Sequence, residues 1–237
     1  MYDFTIIIPV YNEEENLLLV EKALIDYLNI ALLKTTVLFV NDGSTDGSEA
    51  MIKALCKRNE AFHFISFKKN MGLSTALKAG FDRVESPWLG YMDSDLQTLP
   101  SDFNLLVPHI NDHQLITGLR SHRKDSFGKY LSSKIANGFR RLFTQDGITD
   151  TGCPLKVIKT DLAKRIPMFK GLHRFLPAMI LLQKGSVLQI SIPHYPRKKG
   201  VSKFGFWNRS LGPFTDCFIF LWIRYRYINY EIHDSDR

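Results

Sequence analysis

Phe4-Thr5-Ile6-Ile7-Ile8-Pro9-Val10 is apolar almost without interruption. An extended run of this kind is buried on both faces, the condition of a central strand in a parallel sheet covered by helices. Pro9 has no N–H to offer and marks where the hydrogen-bonded ladder ends. Beyond it, Asn12 is placed to cap a helix whose first turn carries Glu13, Glu14 and Glu15, as the helix dipole favours. The apolar spacing of Leu17, Val20, Leu24 and Leu28 continues that helix. The pattern then alternates: strand 36–40, helix 46–58, strand 62–67, helix 72–84, strand 88–92, helix 101–111 and strand 114–118. Such alternation predicts a doubly wound, mainly parallel, Rossmann-like α/β sheet whose functional groups lie beyond the carboxyl ends of the strands.

Two of those strand ends are acidic. Trp88-Leu89-Gly90-Tyr91-Met92 runs into Asp93-Ser94-Asp95-Leu96-Gln97. Carboxylates two residues apart on an extended chain share one side, and oxygen ligands so placed suit Mg²⁺ or Mn²⁺ holding substrate phosphates. Asp95 is the stronger metal-ligand candidate, Gln97 adds an amide oxygen or orients a water, and Asp93 serves the phosphates, the sugar or the ribose. The other acidic end is Val40-Asn41-Asp42-Gly43-Ser44-Thr45-Asp46, whose small residues permit close backbone approach and whose Asp42 suits a base or ribose. It has neither the lysine of a P-loop nor the glycine spacing of a dinucleotide fingerprint. Both stretches also read as ordinary turns after buried strands.

Residues 120–145 change the character of the chain. Arg120, Arg123, Lys124, Lys129, Lys134, Arg140 and Arg141 alternate with Phe127, Leu131, Ile135, Phe139 and Leu142 at helical spacing. Arg120, Arg123, Lys124 and Lys129, with Ser133 on the face of Lys129, form a candidate anion cradle or a solvated basic helix. Short strands are expected at 155–158 and 187–192, with a helix at 173–183 between them. A basic loop contains Arg197, Lys198, Lys199 and Lys203. Phe206 to Ile228 carries an aromatic and aliphatic stripe with Arg209, Arg224 and Arg226, which suits a helix on an anionic membrane or one packed on protein or a second copy. Gly212-Pro213 is expected to split it in two. One domain over 1–205 with an amphipathic extension over 206–237 is the predicted organisation.

The formal charge of +7 suits phosphorylated substrates, anionic membranes or nucleic acid. Cys56, Cys153 and Cys217 have no metal-ligand spacing and read as reduced thiols of a cytosolic protein. Neither a signal peptide nor a membrane span is expected, since Cys217 to Ile223 is too short to cross a bilayer. His173 and His194 are placed to touch substrate, and Cys153, in Asp150-Thr151-Gly152-Cys153-Pro154, suits a packing role or a reactive one.

The ordered set formed by Ile6 to Glu13, Val40 to Asp46, Asn70-Met71-Gly72, Asp93 to Gln97, Asp150 to Cys153 and Arg197 to Lys203 resembles family 2 glycosyltransferases. Within them it is similar to the polyprenyl-phosphate sugar transferases related to dolichol-phosphate mannosyltransferase. The resemblance implies a GT-A fold and an inverting, metal-dependent transfer from a nucleotide-sugar, UDP before GDP, to a polyprenyl phosphate. It implies a nucleotide pocket of Pro9, Tyr11, Glu13 and Asp42, and a donor-phosphate and metal motif of Asp93, Asp95 and Gln97. Arg120, Lys129 and Ser133 match the acceptor-phosphate site, and Arg197 and Lys203 would approach the phosphates from a mobile loop. Lys129 stands where relatives often carry arginine, keeping the charge but losing the bidentate fork. Many relatives also have carboxy-terminal transmembrane helices.

The expected partners are a nucleotide-sugar, a polyprenyl phosphate, an anionic membrane at its cytoplasmic face, a separate membrane protein and a second copy of the chain, without nucleic acid. Three other readings stay open: a family 2 transferase acting on a glycan hydroxyl, which would need a base at the acceptor; a nucleotidyltransferase; and a noncatalytic module for anionic membranes.

Overall fold

The computed structural model describes residues 1–120, 138, 140–196 and 206–229, the last segment with side chains from 215 onward. Its strands are β1 (Phe4–Val10), β2 (Thr35–Asn41), β3 (Phe62–Ser66), β4 (Trp88–Tyr91), β5 (Leu115–Arg120), β6 (Lys156–Lys159) and β7 (Val187–Ile192). They form a single 7-stranded sheet in the order β3-β2-β1-β4-β6-β5-β7. All neighbours pair in parallel except β6, which runs antiparallel between β4 and β5. β1 and β2 stay in register from Phe4↔Thr35 to Val10↔Asn41, so both strands end at one level. The loops bearing Tyr11 and Asp42 therefore leave the sheet side by side.

The helices are α1 (Glu14–Leu28), α2 (Ser48–Arg58), α3 (Leu73–Arg83), α4 (Phe103–Leu106), α5 (Thr160–Arg165), α6 (Leu176–Leu182) and α7 (Phe206–Arg226). The continuous apolar reading of β1 has the anticipated cause. Phe4, Ile6, Ile8 and Val10 pack with Leu17, Val20 and Leu24 of α1 and Ile52 and Leu55 of α2. Ile7 faces the other layer, with Ala76, Leu77 and Phe81 of α3 and Met179 of α6. Cys217 and Phe220 of α7 complete that second layer, and Phe220 stacks on Phe175 with ring centres 5.6 Å apart.

Four local expectations are corrected. Asn12 is not a helix cap: it adopts a left-handed φ of 52°, and its side chain is used by Thr45 instead. The helix expected over 101–111 breaks into Pro100–Asp102, Phe103–Leu106 and Val107–His109, because Pro108 cannot supply an N–H to a continuing helix. The helix at 173–183 divides into a 3₁₀ turn, Leu172–Phe175, and α6, whose first turn holds Pro177. Conversely, α7 runs through Gly212-Pro213. A proline removes one backbone bond, a loss that a long helix docked by Cys217 and Phe220 absorbs.

Gly90 is fixed by packing. A Cβ there would lie 2.5 Å from Phe4 Cζ, 2.7 Å from Phe103 Cε1 and 3.0 Å from the Lys156 carbonyl oxygen. Gly90→Ala should therefore cost about 1–3 kcal/mol through overpacking, read as a lower urea midpoint with unchanged slope.

Candidate active site

The loops after β1 and β2 hold one another. Asn12 Oδ1 accepts the Thr45 N–H at 2.8 Å, and Ser44 Oγ accepts the Asn12 N–H at 3.0 Å. Helix starts leave N–H groups without intrahelical partners, and α1 and α2 exchange theirs. Ser48 Oγ accepts the Glu13 N–H at 2.9 Å, Asp46 Oδ2 accepts that of Glu14 at 3.3 Å, and Glu14 Oε2 accepts that of Gly47 at 2.6 Å. This lattice fixes the wall formed by Tyr11, Glu13 and Asp42.

Asp42 is buried behind β2. Its carboxylate accepts the N–H groups of Met71 (2.7 Å) and Gly72 (2.9 Å) and the Asn70 amide (3.1 Å). Burial pushes its carboxyl above the usual range, and the two backbone N–H groups offset part of that rise. Gly43, at φ +65°, lets the chain pass the 69–70 backbone, where a Cβ would meet Lys69 C at 2.2 Å. The Asn70-Met71-Gly72 motif thus meets the Asp42 motif in space, and the pair leads directly into α3.

At the end of β4, Asp95 is only 6% exposed, and its Oδ1 accepts the Gln97 N–H at 3.1 Å. Leu96 between them has φ 55°, a tight turn that returns the chain on itself. The Gln97 carbonyl accepts the Tyr195 N–H at 3.0 Å, which brings His194 and Tyr195, just ahead of the basic loop, beside the acidic turn. Among the described residues no three His, Cys, Asp or Glu side chains converge as a complete metal cage. Asp93 and Asp95 instead fit a site completed by substrate oxygens and water, the habit of Mg²⁺-type cations.

Arg120 ends β5 and meets Asp150 in a bidentate pair, Nε–Oδ2 and Nη2–Oδ1 both 2.8 Å. Burial works against its charge, but the bond and charge of Asp150, aided by Asp93, raise its proton affinity above the ordinary value. Cys153 is fully buried against Gly118 and Ile192, and burial pushes its thiol up, which makes it a packing residue. His173 Nδ1 lies 2.8 Å from Ser74 Oγ, which also accepts the Gly171 N–H at 3.0 Å. Burial, with the charges of Arg174 and Lys156, pushes His173 down to about 3, so it is neutral near pH 7.

The sheet therefore gathers Pro9, Tyr11, Glu13, Asp42, Asp93, Asp95, Gln97 and Arg120 along its carboxyl edge, at the ends of β1, β2, β4 and β5. Lys129, Ser133, Arg197 and Lys203, with Arg123 and Lys124, lie outside the described residues. Sequence reasoning missed Asp150 as the partner of Arg120, Ser74 as the partner of His173, and Lys156, which is wholly buried beneath the site. For Lys156 there was a signal: it stands among the apolar residues Leu155, Val157 and Ile158 of an expected strand.

Known proteins share the architecture of this chain. The Glycosyl transferase family 2 model matches residues 5–166. The chain belongs to that family. This family 2 chain is 28% identical over 213 residues to the dodecaprenyl-phosphate galacturonate synthase of Rhizobium johnstonii, covering 86% of the chain and 62% of that protein. It is 29% identical over 205 residues to the undecaprenyl-phosphate 4-deoxy-4-formamido-L-arabinose transferase of Photorhabdus laumondii, with 85% and 63% covered. The chain thus spans less than two thirds of the length of these relatives. Among solved structures, glucosyl-3-phosphoglycerate synthase from Mycobacterium tuberculosis, bound to Mn²⁺, UDP and glucosyl-3-phosphoglycerate, superimposes with a TM-score of 0.70 at 14% identity. That match covers 94% of this chain and 80% of the other, and the shared architecture is a GT-A-like α/β domain.

The depressed His173 has a consequence for stability. An unfolded histidine protonates below its ordinary value of 6.5, whereas the folded one resists down to about 3. The stability it contributes is therefore complete above pH 6.5 and is lost as pH falls through that window. His173→Asn, which keeps an acceptor for Ser74, should flatten urea-measured stability against pH across the window by up to about one proton's worth of slope.

Proposed function

We propose that this family 2 member is an inverting, metal-dependent glycosyltransferase. It moves a sugar from a nucleotide-sugar, UDP-linked before GDP-linked, to the phosphate of a polyprenyl lipid. The observation that carries the reading is the buried Asp95, whose carboxylate accepts the Gln97 N–H at the end of β4, with Arg120 gripped by Asp150 at the end of β5 on the same edge of the sheet. One edge of the sheet thus offers carboxylates for a cation on a leaving diphosphate and a guanidinium for a second phosphate. The names of the Rhizobium and Photorhabdus relatives, which both specify a polyprenyl phosphate, support the lipid acceptor. The UDP and Mn²⁺ in the Mycobacterium structure support the donor and the metal.

A polyprenyl phosphate oxygen is already ionised near neutral pH and needs no protein base to attack. It adds to the anomeric carbon from the face opposite the nucleoside diphosphate, forming the new C–O bond as the old one breaks and inverting that centre. Asp93, Asp95 and Gln97 would hold the divalent cation, which when bound neutralises charge on the diphosphate. Arg120 orients the acceptor phosphate, and the family resemblance assigns Lys129, Ser133, Arg197 and Lys203, which lie outside the described residues, to the phosphates as well. Pro9, Tyr11, Glu13 and Asp42 line the nucleotide pocket. His173 is a poor base for a glycan hydroxyl, since its proton affinity is depressed.

A lipid acceptor has to be met at a surface. None of the described helices is long and apolar enough to cross a membrane. α7 instead exposes Phe218, Ile219, Trp222 and Tyr225, with Arg224 and Arg226 beside them. Phe143 meets Phe218 edge-on at 5.4 Å, which aligns exposed Leu142 with the same face. We read this face as resting on an anionic, cytoplasmic-side bilayer with its aromatic rings at headgroup depth.

Purified protein incubated with Mn²⁺ or Mg²⁺, UDP- and GDP-sugars and a short polyprenyl phosphate should form a lipid-linked sugar phosphate. Asp95→Ala should lower that rate by about 10²-fold or more. A parallel assay offers 3-phosphoglycerate and a glycan as acceptors. Transfer to either in place of the lipid would move the assignment to that acceptor, and absence of nucleotide-sugar binding would end the transferase reading.

Trp222→Asp should abolish binding to vesicles containing anionic lipid. Wild-type binding should weaken as salt shortens the Debye length from about 10 Å at 0.1 M. Equal vesicle binding by both proteins would make this face a protein contact.

A further inference from the structure

One buried cation has no task in this reaction. Lys156 opens β6, pairing in register with Tyr91 of β4 on one side and Thr117 of β5 on the other. It is 0% exposed. Its Nζ donates to the carbonyl oxygens of Thr151, at 3.3 Å, and Cys153, and it stands 5.3 Å from the centre of the Tyr91 ring. Removing an ammonium from water costs several kcal/mol, and two carbonyls with a ring face are weaker compensation than a carboxylate. A methionine would fill nearly the same volume without that cost. A lysine kept in the interior with its Nζ turned onto two loop carbonyls points to a role beyond packing.

The surroundings of Lys156 indicate which role. Burial pushes the Lys156 pKa down; the charges of Cys153 and Asp150 in the loop entering β6, and of Asp93 at the end of β4, offset part of that fall, and Arg120 at the end of β5 adds to it. His173 feels its charge from the turn before α6. The loop 150–155 bends over the ammonium, offering it two carbonyls, and the same loop presents Asp150 to Arg120. Gly152, between the two residues whose carbonyls accept from Lys156, lies close under the guanidinium: a Cβ there would be 3.1 Å from Arg120 Nη2. A guanidinium has five N–H donors, and the Asp150 fork takes two side-chain ones. The aim of Arg120 is thus set by a turn that Lys156 grips from below.

We propose that Lys156 is a positioning residue for the acceptor: its ammonium pins the 151–153 carbonyls, and through Asp150 it points the Arg120 guanidinium at the acceptor's phosphate. This rests on the acceptor reading given above. Lys156 touches neither substrate, and its effect falls on the phosphate that Arg120 meets rather than on the nucleotide held across the sheet by β1 and β2. A displacement of the guanidinium by a fraction of an ångström is enough to lower acceptor affinity.

The test compares Lys156→Met and Lys156→Arg with wild type. Lys156→Met should raise the acceptor KM by about tenfold while UDP affinity, measured by calorimetry with Mn²⁺, stays within about twofold. The Arg120 Nε–H resonance, assigned through Arg120→Lys, should shift or broaden in Lys156→Met. Lys156→Arg, which keeps a buried cation, should recover much of the acceptor KM. Should Lys156→Met not fold, Lys156→Gln, whose shorter neutral side chain cannot reach both carbonyls, should raise the acceptor KM without weakening UDP. An unchanged acceptor KM and Arg120 resonance in the folded variant would overturn the proposal. So would equal losses of UDP and acceptor binding, which mark a general packing role. If wild type transfers to no phosphate acceptor, the acceptor reading fails. The Arg120 resonance then still decides whether Lys156 orients that guanidinium.

Discussion

β6 stands between β4 and β5, antiparallel to both, and much of the acceptor side follows from that placement. Because β4 and β5 never pair, the acids at the end of one and the guanidinium at the end of the other are kept two strand spacings apart, roughly 10 Å. A parallel strand there would have sent its far end and an exit loop toward the site. The antiparallel one brings its first residue, Lys156, and its entering loop, 150–155. The gap between Asp93 and Arg120 is floored by that loop, with the ammonium beneath it. The same insertion requires Gly90, since Phe4 and Phe103 close over β4 at the point where β6 runs past.

The donor side is held by a different device. α1 and α2 begin next to one another because β1 and β2 end in register, and each supplies acceptors for the other's opening N–H groups. α1 has no local side-chain cap, and in α2 only Asp46 supplies one, to the Ser48 N–H. Capping across elements makes each loop a condition for the other, which favours a preformed pocket wall over a mobile one. Asp42 extends the lattice to the start of α3 through Met71 and Gly72. From there Ser74 reaches His173 and Gly171, and a Cβ on Gly171 would meet Asp216 of α7 at 2.3 Å. The proposed membrane-facing helix is therefore packed, through a short series of direct contacts, onto the element that follows the nucleotide loop.

The strands were legible because burial on both faces leaves a plain mark: Phe4 to Val10 and Thr36 to Val40 have no other sensible reading. Asp93 to Gln97 was legible for a related reason, since polar residues that abruptly end an apolar run at a strand's carboxyl end have few structural duties. The misread pieces were those whose partners lie far away in sequence. Asn12 looked like a cap because its neighbours are helical, yet Thr45 claims its side chain. Gly212-Pro213 looked like a break because local propensity counts a missing bond and cannot count the packing of Phe220 on Phe175. Asp150 looked like part of a wall until Arg120, 30 residues earlier, was seen in its fork.

By itself the chain determined the alternation of strand and helix, the edge of the sheet on which chemistry must lie, and the identity of the acidic turn there. Those properties are written in neighbouring residues, where periodicity and the end of an apolar run are visible. Only the tertiary structure decided that β6 runs against its neighbours, that Arg120 is gripped by Asp150, and that Lys156 lies wholly in the interior with two carbonyls for partners. Direction within a sheet and compensation of a buried charge depend on groups brought together from distant parts of the chain. Their energies exist only once the fold has excluded water from between them.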